Sequence, residues 1–281
     1  MRALPGLYVS FVLGVTGAAQ SAAPGIAQRM DFARQVARFE LPGRLAEVSG
    51  LAFSADGRLL AHADERGIVY TVDTSTGAVD RGFRVGDPTV SDDLEGMAAV
   101  GDRLFVASSR GLLYEFRAAA EGGVAPVRVT DLELGGTCEV EGLAHHSRSN
   151  TLLAACKTLR PSAREVRIHR ISLSGGSKPL PPIRVPWAMF EARGHHGAVE
   201  PSGIDVDPST GTLVVVASRQ AMLFEMDMEG HLLDVVRLSP RRHPQPEGIA
   251  FGPDGLLYVA DEAGGRTARI TVYGPRTEEA R

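Results

Sequence analysis

Carboxylates recur at fixed places in this chain, each beside a glycine. Glu95, Glu141 and Glu247 immediately precede a glycine in a short repeated segment, and Ser49 and Ser202 hold that place in its other two copies. Two residues further back stand Glu47, Asp93, Glu139, Glu200 and Gln245. A second repeated segment ends in Asp64-Glu65 and Asp261-Glu262, where other copies carry Arg110, Lys157 and Arg219. Gathered into one ring, such carboxylates would suit a hard cation, because calcium takes about six to eight oxygen ligands. On that reading Glu47, Glu95, Glu141, Glu200 and Glu247 are the metal ligands. Asp64, Glu65, Asp261, Glu262, Arg110, Lys157 and Arg219 then contact the bound ligand. The competing reading is structural, with Glu95, Glu141 and Glu247 paired to Arg110, Lys157 and Arg219 as ion pairs between repeats.

The elements that must position these groups are strands. The first segment's glycines are Gly50, Gly96, Gly142, Gly203 and Gly248, spaced 46, 46, 61 and 45 residues apart. A second apolar segment and then a third follow each copy, at 59–65, 104–110, 152–157, 213–219 and 256–262 for the second. A period near 45 residues holding several strands is that of a propeller blade. Four copies add a fourth strand, at 79–85, 126–134, 182–187 and 232–238; the fifth is followed only by a polar tail at 275–281. The strand at 35–42 lies ahead of the first repeat and supplies what the last one lacks. The predicted fold is therefore all-β: a single five-bladed β-propeller domain over 35–274, its last blade closed by the N-terminal strand.

In such a fold the first strand of each blade lines the channel and the second returns antiparallel. The start of one and the end of the other then share a channel mouth, which collects the carboxylates. Along the first strand, bulky residues (Leu51, Met97, Leu143, Ile204, Ile249) alternate with a Gly-x-Ala pattern of small ones, as wedge-shaped packing near an axis requires. Asp205 breaks the small pattern and is expected to face the channel as a ligand-binding residue.

The third repeat is 15 residues longer than the two before it. The extra length falls at 158–165 and 188–201, both on the mouth side. The second stretch follows the sole tryptophan, Trp187, and contains His195 and His196. It reads either as a lid over the mouth or as surface decoration. The two histidines could ligate a transition metal, act as acid or base, or simply sit in an exposed loop.

Of 281 residues, 43% are hydrophobic and 23% charged, with a formal charge of −4 and no basic run. A nucleic-acid groove, which needs clustered positive charge, is excluded as an expectation. Arg2, the apolar stretch at 7–15 and the small residues at 16–23 read as a signal peptide over 1–23, followed by a linker at 24–34. That apolar stretch falls short of the ~20 residues of a spanning helix. Export to a bacterial periplasm is expected, with an uncleaved inner-membrane anchor as the alternative. The only cysteines, Cys138 and Cys156, fall in one predicted hairpin turning at 147–150. An oxidising compartment permits a disulfide there; two independent thiols are the other reading.

The segments Asp93-Leu94-Glu95-Gly96, Val140-Glu141-Gly142-Leu143, Pro201-Ser202-Gly203-Ile204 and Pro246-Glu247-Gly248-Ile249, with Asp64-Glu65 and Asp261-Glu262, resemble the SdiA-regulated family of bacterial envelope proteins. The resemblance runs from about residue 36 onward. It implies a β-propeller linked to the cell envelope. The same segments are also similar to esterase-like phytase domains and NHL-type propellers. The chain carries no G-x-S-x-G elbow, no P-loop and no H-E-x-x-H. The expected function is a non-enzymatic, monomeric module that binds a small ligand or an envelope protein over its acidic mouth, with calcium as the candidate cofactor. The alternatives are a metal-dependent phosphoester or ester hydrolase of phytase-like type, using Arg110, Lys157 and Arg219 to receive phosphate, and a pure scaffold.

Overall fold

Strands whose apolar and small residues alternate must bury one face on a neighbour, and here each repeat finds that neighbour in the next repeat. The computed structural model describes residues 24–175 and 180–277. Blade 1 is built from Val48–Phe53, Leu59–Ala63, Ile68–Val72 and Phe83–Val85. Blade 2 holds Leu94–Val100, Arg103–Ser108, Leu112–Arg117 and Val127–Asp131, and blade 3 Cys138–His146, Thr151–Leu159, Glu165–Ser172 and Ile183–Pro186. Blade 4 comprises Gly203–Val206, Leu213–Ala217, Met222–Met226 and Leu232–Arg237. Blade 5 has Pro246–Phe251, Leu257–Asp261 and Arg269–Pro275, with Met30–Glu40 as its outermost strand. An additional short strand, Val124–Ala125, pairs in parallel with the outer strand of blade 1 and couples blade 2 to it.

The core is divided rather than central. One apolar cluster fills each gap between neighbouring blades, as where Ala144, Leu153 and Ile168 meet Ile204, Val215 and Phe224 between blades 3 and 4. Tyr258 and Ile270 of blade 5 likewise meet Leu51 and Tyr70 of blade 1, which closes the ring. The repeated glycine is what brings the innermost strands together. A Cβ on Gly96 would lie 2.0 Å from the Leu143 nitrogen, and one on Gly203 2.0 Å from the Glu247 carbonyl oxygen. Only a residue without a side chain permits that approach of backbone to backbone.

Ring closure follows the expected route but recruits more chain. Met30–Glu40 pairs antiparallel with Arg269–Pro275, Glu40 opposite Arg269 and Met30 opposite Pro275. The strand therefore begins five residues before the expected 35–42, and the expected linker at 24–34 is folded. A short helix, Ile26–Arg29, precedes the strand and buries Ile26 completely. Its backbone is held by carboxylates of blade 4: the Ile26 amide donates to Glu225 Oε2 at 2.7 Å and the Ala27 amide to Asp234 Oδ2 at 2.9 Å. The Arg29 guanidinium bridges Asp207 at 2.7 Å and Glu225 at 2.9 Å. The strand completes blade 5 as its outer edge, and this clamp ties it to the adjacent blade as well. At the other end Pro275 belongs to the strand and the Arg276 amide bonds to the Arg29 carbonyl. The expected signal peptide, residues 1–23, lies outside the described residues.

Arg29→Ala should lower the melting temperature by roughly 10 °C. Glu225 is 1% exposed, and losing one partner of a buried pair costs about 3 kcal/mol, each kcal/mol being worth about 2–4 °C at this size. An unchanged thermal melt would show that the N-terminal segment does not unfold with the ring.

Candidate functional site

Each carboxylate of the repeated segment reaches the axis through the same irregularity. Pairing between the first two strands slips at Val48/Gly50, Leu94/Met97, Val140/Gly142 and Pro246/Ile249. The extra residue falls at Ser49, Glu95, Glu141 and Glu247, a β-bulge that turns one side chain out of the pleat. In blade 3 both strands slip together, so Glu141 and Lys157 face each other with Oε1 and Nζ 2.9 Å apart.

Lys157 is the hub. Its charge is raised in pKa against the opposing cost of burial by Glu141, then Glu247, then Glu95, which come from blades 3, 5 and 2. Among the described residues no cation reaches Glu95 or Glu247 within 4.0 Å. Burial therefore dominates their titration. Desolvation first, then Glu141 and Asp93, push Glu95 far above the carboxylate range. Desolvation, then Glu262 and Glu141, push Glu247 up to about 8. Glu141 is also raised by burial, with Lys157 opposing. Glu262, which accepts a hydrogen bond from the Gln245 side chain, is raised to about 7 by burial and by Glu47 and Asp64. A low-dielectric site with more acids than bases holds protons at neutral pH. A cation entering it would displace them.

The ring expected from the sequence assembles in part. Glu47, Asp64 and Glu65 line a cavity of about 320 Å³ on the same face, together with Arg44, Arg66 and Tyr70. Asp64 Oδ1 is buried there without a hydrogen-bond partner. Arg110 and Arg219 turn outward, to Asp92 at 2.8 Å and Glu200 at 3.2 Å. Of the three expected ion pairs only that of Glu141 with Lys157 forms, and it lies within blade 3. No three of the mouth carboxylates bring oxygens within 4.8 Å of one another among the described residues. The expected calcium cage of Glu47, Glu95, Glu141, Glu200 and Glu247 is thus not preassembled. The strands radiate from the axis and Lys157 stands among the acids.

Two further expectations are corrected, for Asp261 and for the 188–201 stretch, and Asp205 takes its place at the far end of the channel. Asp261 neighbours Glu262, and successive residues of a strand face opposite ways; Asp261 is fully buried inside blade 5, bonded to His243 Nδ1 at 2.8 Å, with His243 Nε2 2.6 Å from the Tyr273 hydroxyl. Asp205 does line the channel, but at the end away from the acidic mouth, in a cavity of about 140 Å³ with His145, Met97 and Phe251. There it accepts the Phe251 amide at 2.7 Å, and burial raises its pKa to about 7. The 188–201 stretch does not cover the mouth. Helix Trp187–Glu191 buries Phe190 against Phe224, and Arg193 bonds to the carbonyls of Leu232 and Leu233 on blade 4's outer strand. His195 bonds to the Ala198 carbonyl at 3.1 Å and His196 is exposed.

Sequence reasoning missed the Asp261–His243–Tyr273 relay and the Arg29 clamp. The clamp had a signal: Glu225 is the one charge in the apolar strand Met222–Met226. The cysteines behave as the hairpin predicts, joined as Cys138–Cys156 with Cα atoms 5.4 Å apart.

Five blades around a glycine-lined axis, with bulged acids at one mouth, define a β-propeller. The chain belongs to the SdiA-regulated family, which it matches over residues 27–264. A search of curated proteins by sequence finds no match. Among solved structures it is similar to Myxococcus xanthus glutaminyl cyclase (TM-score 0.60, 16% identity, 87% of this chain and 97% of that one). It is also similar to the PQQ-bound aldose sugar dehydrogenase of Streptomyces coelicolor (0.57, 14%, 90% and 100%) and to a luciferin-regenerating enzyme (0.56, 12%, 85% and 95%). At these identities the likeness is one of fold, and propellers host many activities.

Proposed function

We propose that this propeller is an exported, monomeric and non-enzymatic binding module whose acidic mouth takes a cationic ligand. The observation that carries this is the convergence of Glu95, Glu141 and Glu247 from three blades on the single Lys157. Electrostatic focusing in such a mouth draws cations. A calcium ion held partly through water, or the ammonium group of a small ligand or envelope protein, meets its chemistry. The unpartnered Asp64 oxygen and the adjoining cavity offer space beside it. The disulfide supports a periplasmic setting, since such bonds persist in oxidising compartments. No helix among the described residues is long and apolar enough to cross a membrane.

The test is a thermal melt of chelator-treated protein with calcium added back at constant ionic strength. Calcium at 100 times its dissociation constant stabilises by about 2.7 kcal/mol, which raises the melting temperature by roughly 5–10 °C. The rise should vanish in the combined Glu95→Gln, Glu141→Gln and Glu247→Gln variant. No rise in the wild type, or an undiminished rise in the variant, defeats the calcium reading. Calcium-dependent turnover of a phosphoester, lost with Glu141→Gln, would favour the hydrolase instead. That chemistry needs free basic groups, whereas Arg110, Lys157 and Arg219 are each engaged by a carboxylate.

A further inference from the structure

Blade 3 carries a donor set that the mouth does not use. Cys138 opens its first strand, Cys156 lies near the end of the second, and His169 stands on the third, where it pairs with Ala154. The two sulfurs and an imidazole nitrogen lie within 4.8 Å of one another, the only such group of potential metal ligands among the described residues. Both cysteines are buried beside Leu134, Val140, Leu152 and Leu159. A second observation points to a ligand: His169 Nε2 is buried and has no hydrogen-bond partner. Such an orphaned nitrogen is rare in folded proteins.

We propose that, once reduced, Cys138, Cys156 and His169 form a site for monovalent copper, and that the disulfide is the form that masks it. Thiolates are soft donors that select this ion, whereas structural zinc asks for a fourth ligand. The apolar surroundings exclude water. With the Cα atoms 5.4 Å apart, the sulfurs can spread about an ion once their bond is broken. A dithiol reductant, by exchange, becomes a disulfide while two electrons and two protons pass to Cys138 and Cys156. Copper then displaces both thiol protons to solvent.

The experiment reduces the full chain anaerobically with a phosphine, verifies reduction by thiol count, and titrates copper(I) against a chromophoric chelator. The reduced protein should take up one equivalent, with thiolate-to-copper absorption in the ultraviolet, and the disulfide form none. Reduced His169→Ala should bind roughly tenfold or more weakly; it keeps both cysteines, so its fold is checked in the oxidised state. Equal uptake by His169→Ala, or no stoichiometric uptake by the reduced wild type, overturns the site. So does a reduced chain that loses its circular dichroism and does not regain it with copper.

Discussion

Gly96→Ala should cost at least about 4 kcal/mol, the upper range for a single substitution, and lower the melting temperature by more than about 8 °C. The added Cβ would meet the Leu143 nitrogen at 2.0 Å and the Gly142 carbonyl carbon at 2.5 Å. Both are backbone atoms of the next blade, so no rotamer relieves the overlap. Blades 2 and 3 would have to separate, opening the cluster in which Ala98 and Phe105 pack on Val140 and Leu143. Gly203→Ala, facing the Glu247 carbonyl, should behave alike. Gly136→Ala is the control, because nothing lies within 4 Å of its Cβ position and its φ is not left-handed; it should stay within about 0.5 kcal/mol of wild type. Thermal melts of the three variants decide the matter. If Gly96→Ala melts with the wild type, the innermost strands are not in backbone contact and the glycine repeat has another cause.

Glu247→Gln should stabilise the protein by an amount that grows as pH rises from about 4.5 to about 8. Glu247 titrates near 8 in the folded chain against 4.5 when exposed. Between those values the folded state holds a proton that the unfolded state has released. Stability is therefore fully present below about pH 4.5 and is lost as pH rises through 8. Each unit of raised pKa is worth about 1.4 kcal/mol. Allowing for relaxation of the ionised form, a gain of about 2 kcal/mol at pH 9 is a fair magnitude, or roughly 4–8 °C. At pH 5 wild type and variant should melt together. Glu141→Gln should differ in sign at pH 7, because it strips Lys157 of its partner at 2.9 Å. A Glu247→Gln variant no more stable at pH 9 than at pH 5 would mean that its carboxylate is solvated, and the mouth would lose its low-dielectric character. Groups that weaken the fold at neutral to alkaline pH are the ones a bound cation would relieve.

Strand order, blade number and ring closure were all legible in the residues, because each depends on short-range pattern. Gly50, Gly96, Gly142, Gly203 and Gly248 mark where the innermost strands of successive repeats pack, and at Gly96 and Gly203 the neighbouring backbone leaves no room for a Cβ. Alternation within each strand decided which face packs. A missing fourth strand at one end and a spare strand at the other required closure, although Met30–Glu40 extends further back than its apolar pattern shows. The hairpin likewise brought Cys138 and Cys156 within bonding distance.

The direction of the long charged side chains was not local. Asp261 and Glu262 are adjacent and chemically alike, yet one is sealed beside His243 and the other faces the mouth. Bulges around Glu95, Glu141 and Glu247 arise from pairing between two strands, which composition alone does not reveal. Arg110 and Arg219 were drawn away by Asp92 and Glu200, while Lys157 was left among the acids. Residue pattern alone specifies a five-bladed, glycine-centred propeller with acids near one mouth. Which acids meet, around which cation and at what proton affinity, follows from how the blades pack against one another. Periodicity sets the face of a strand, whereas burial and Coulomb interaction depend on neighbours a blade or more away.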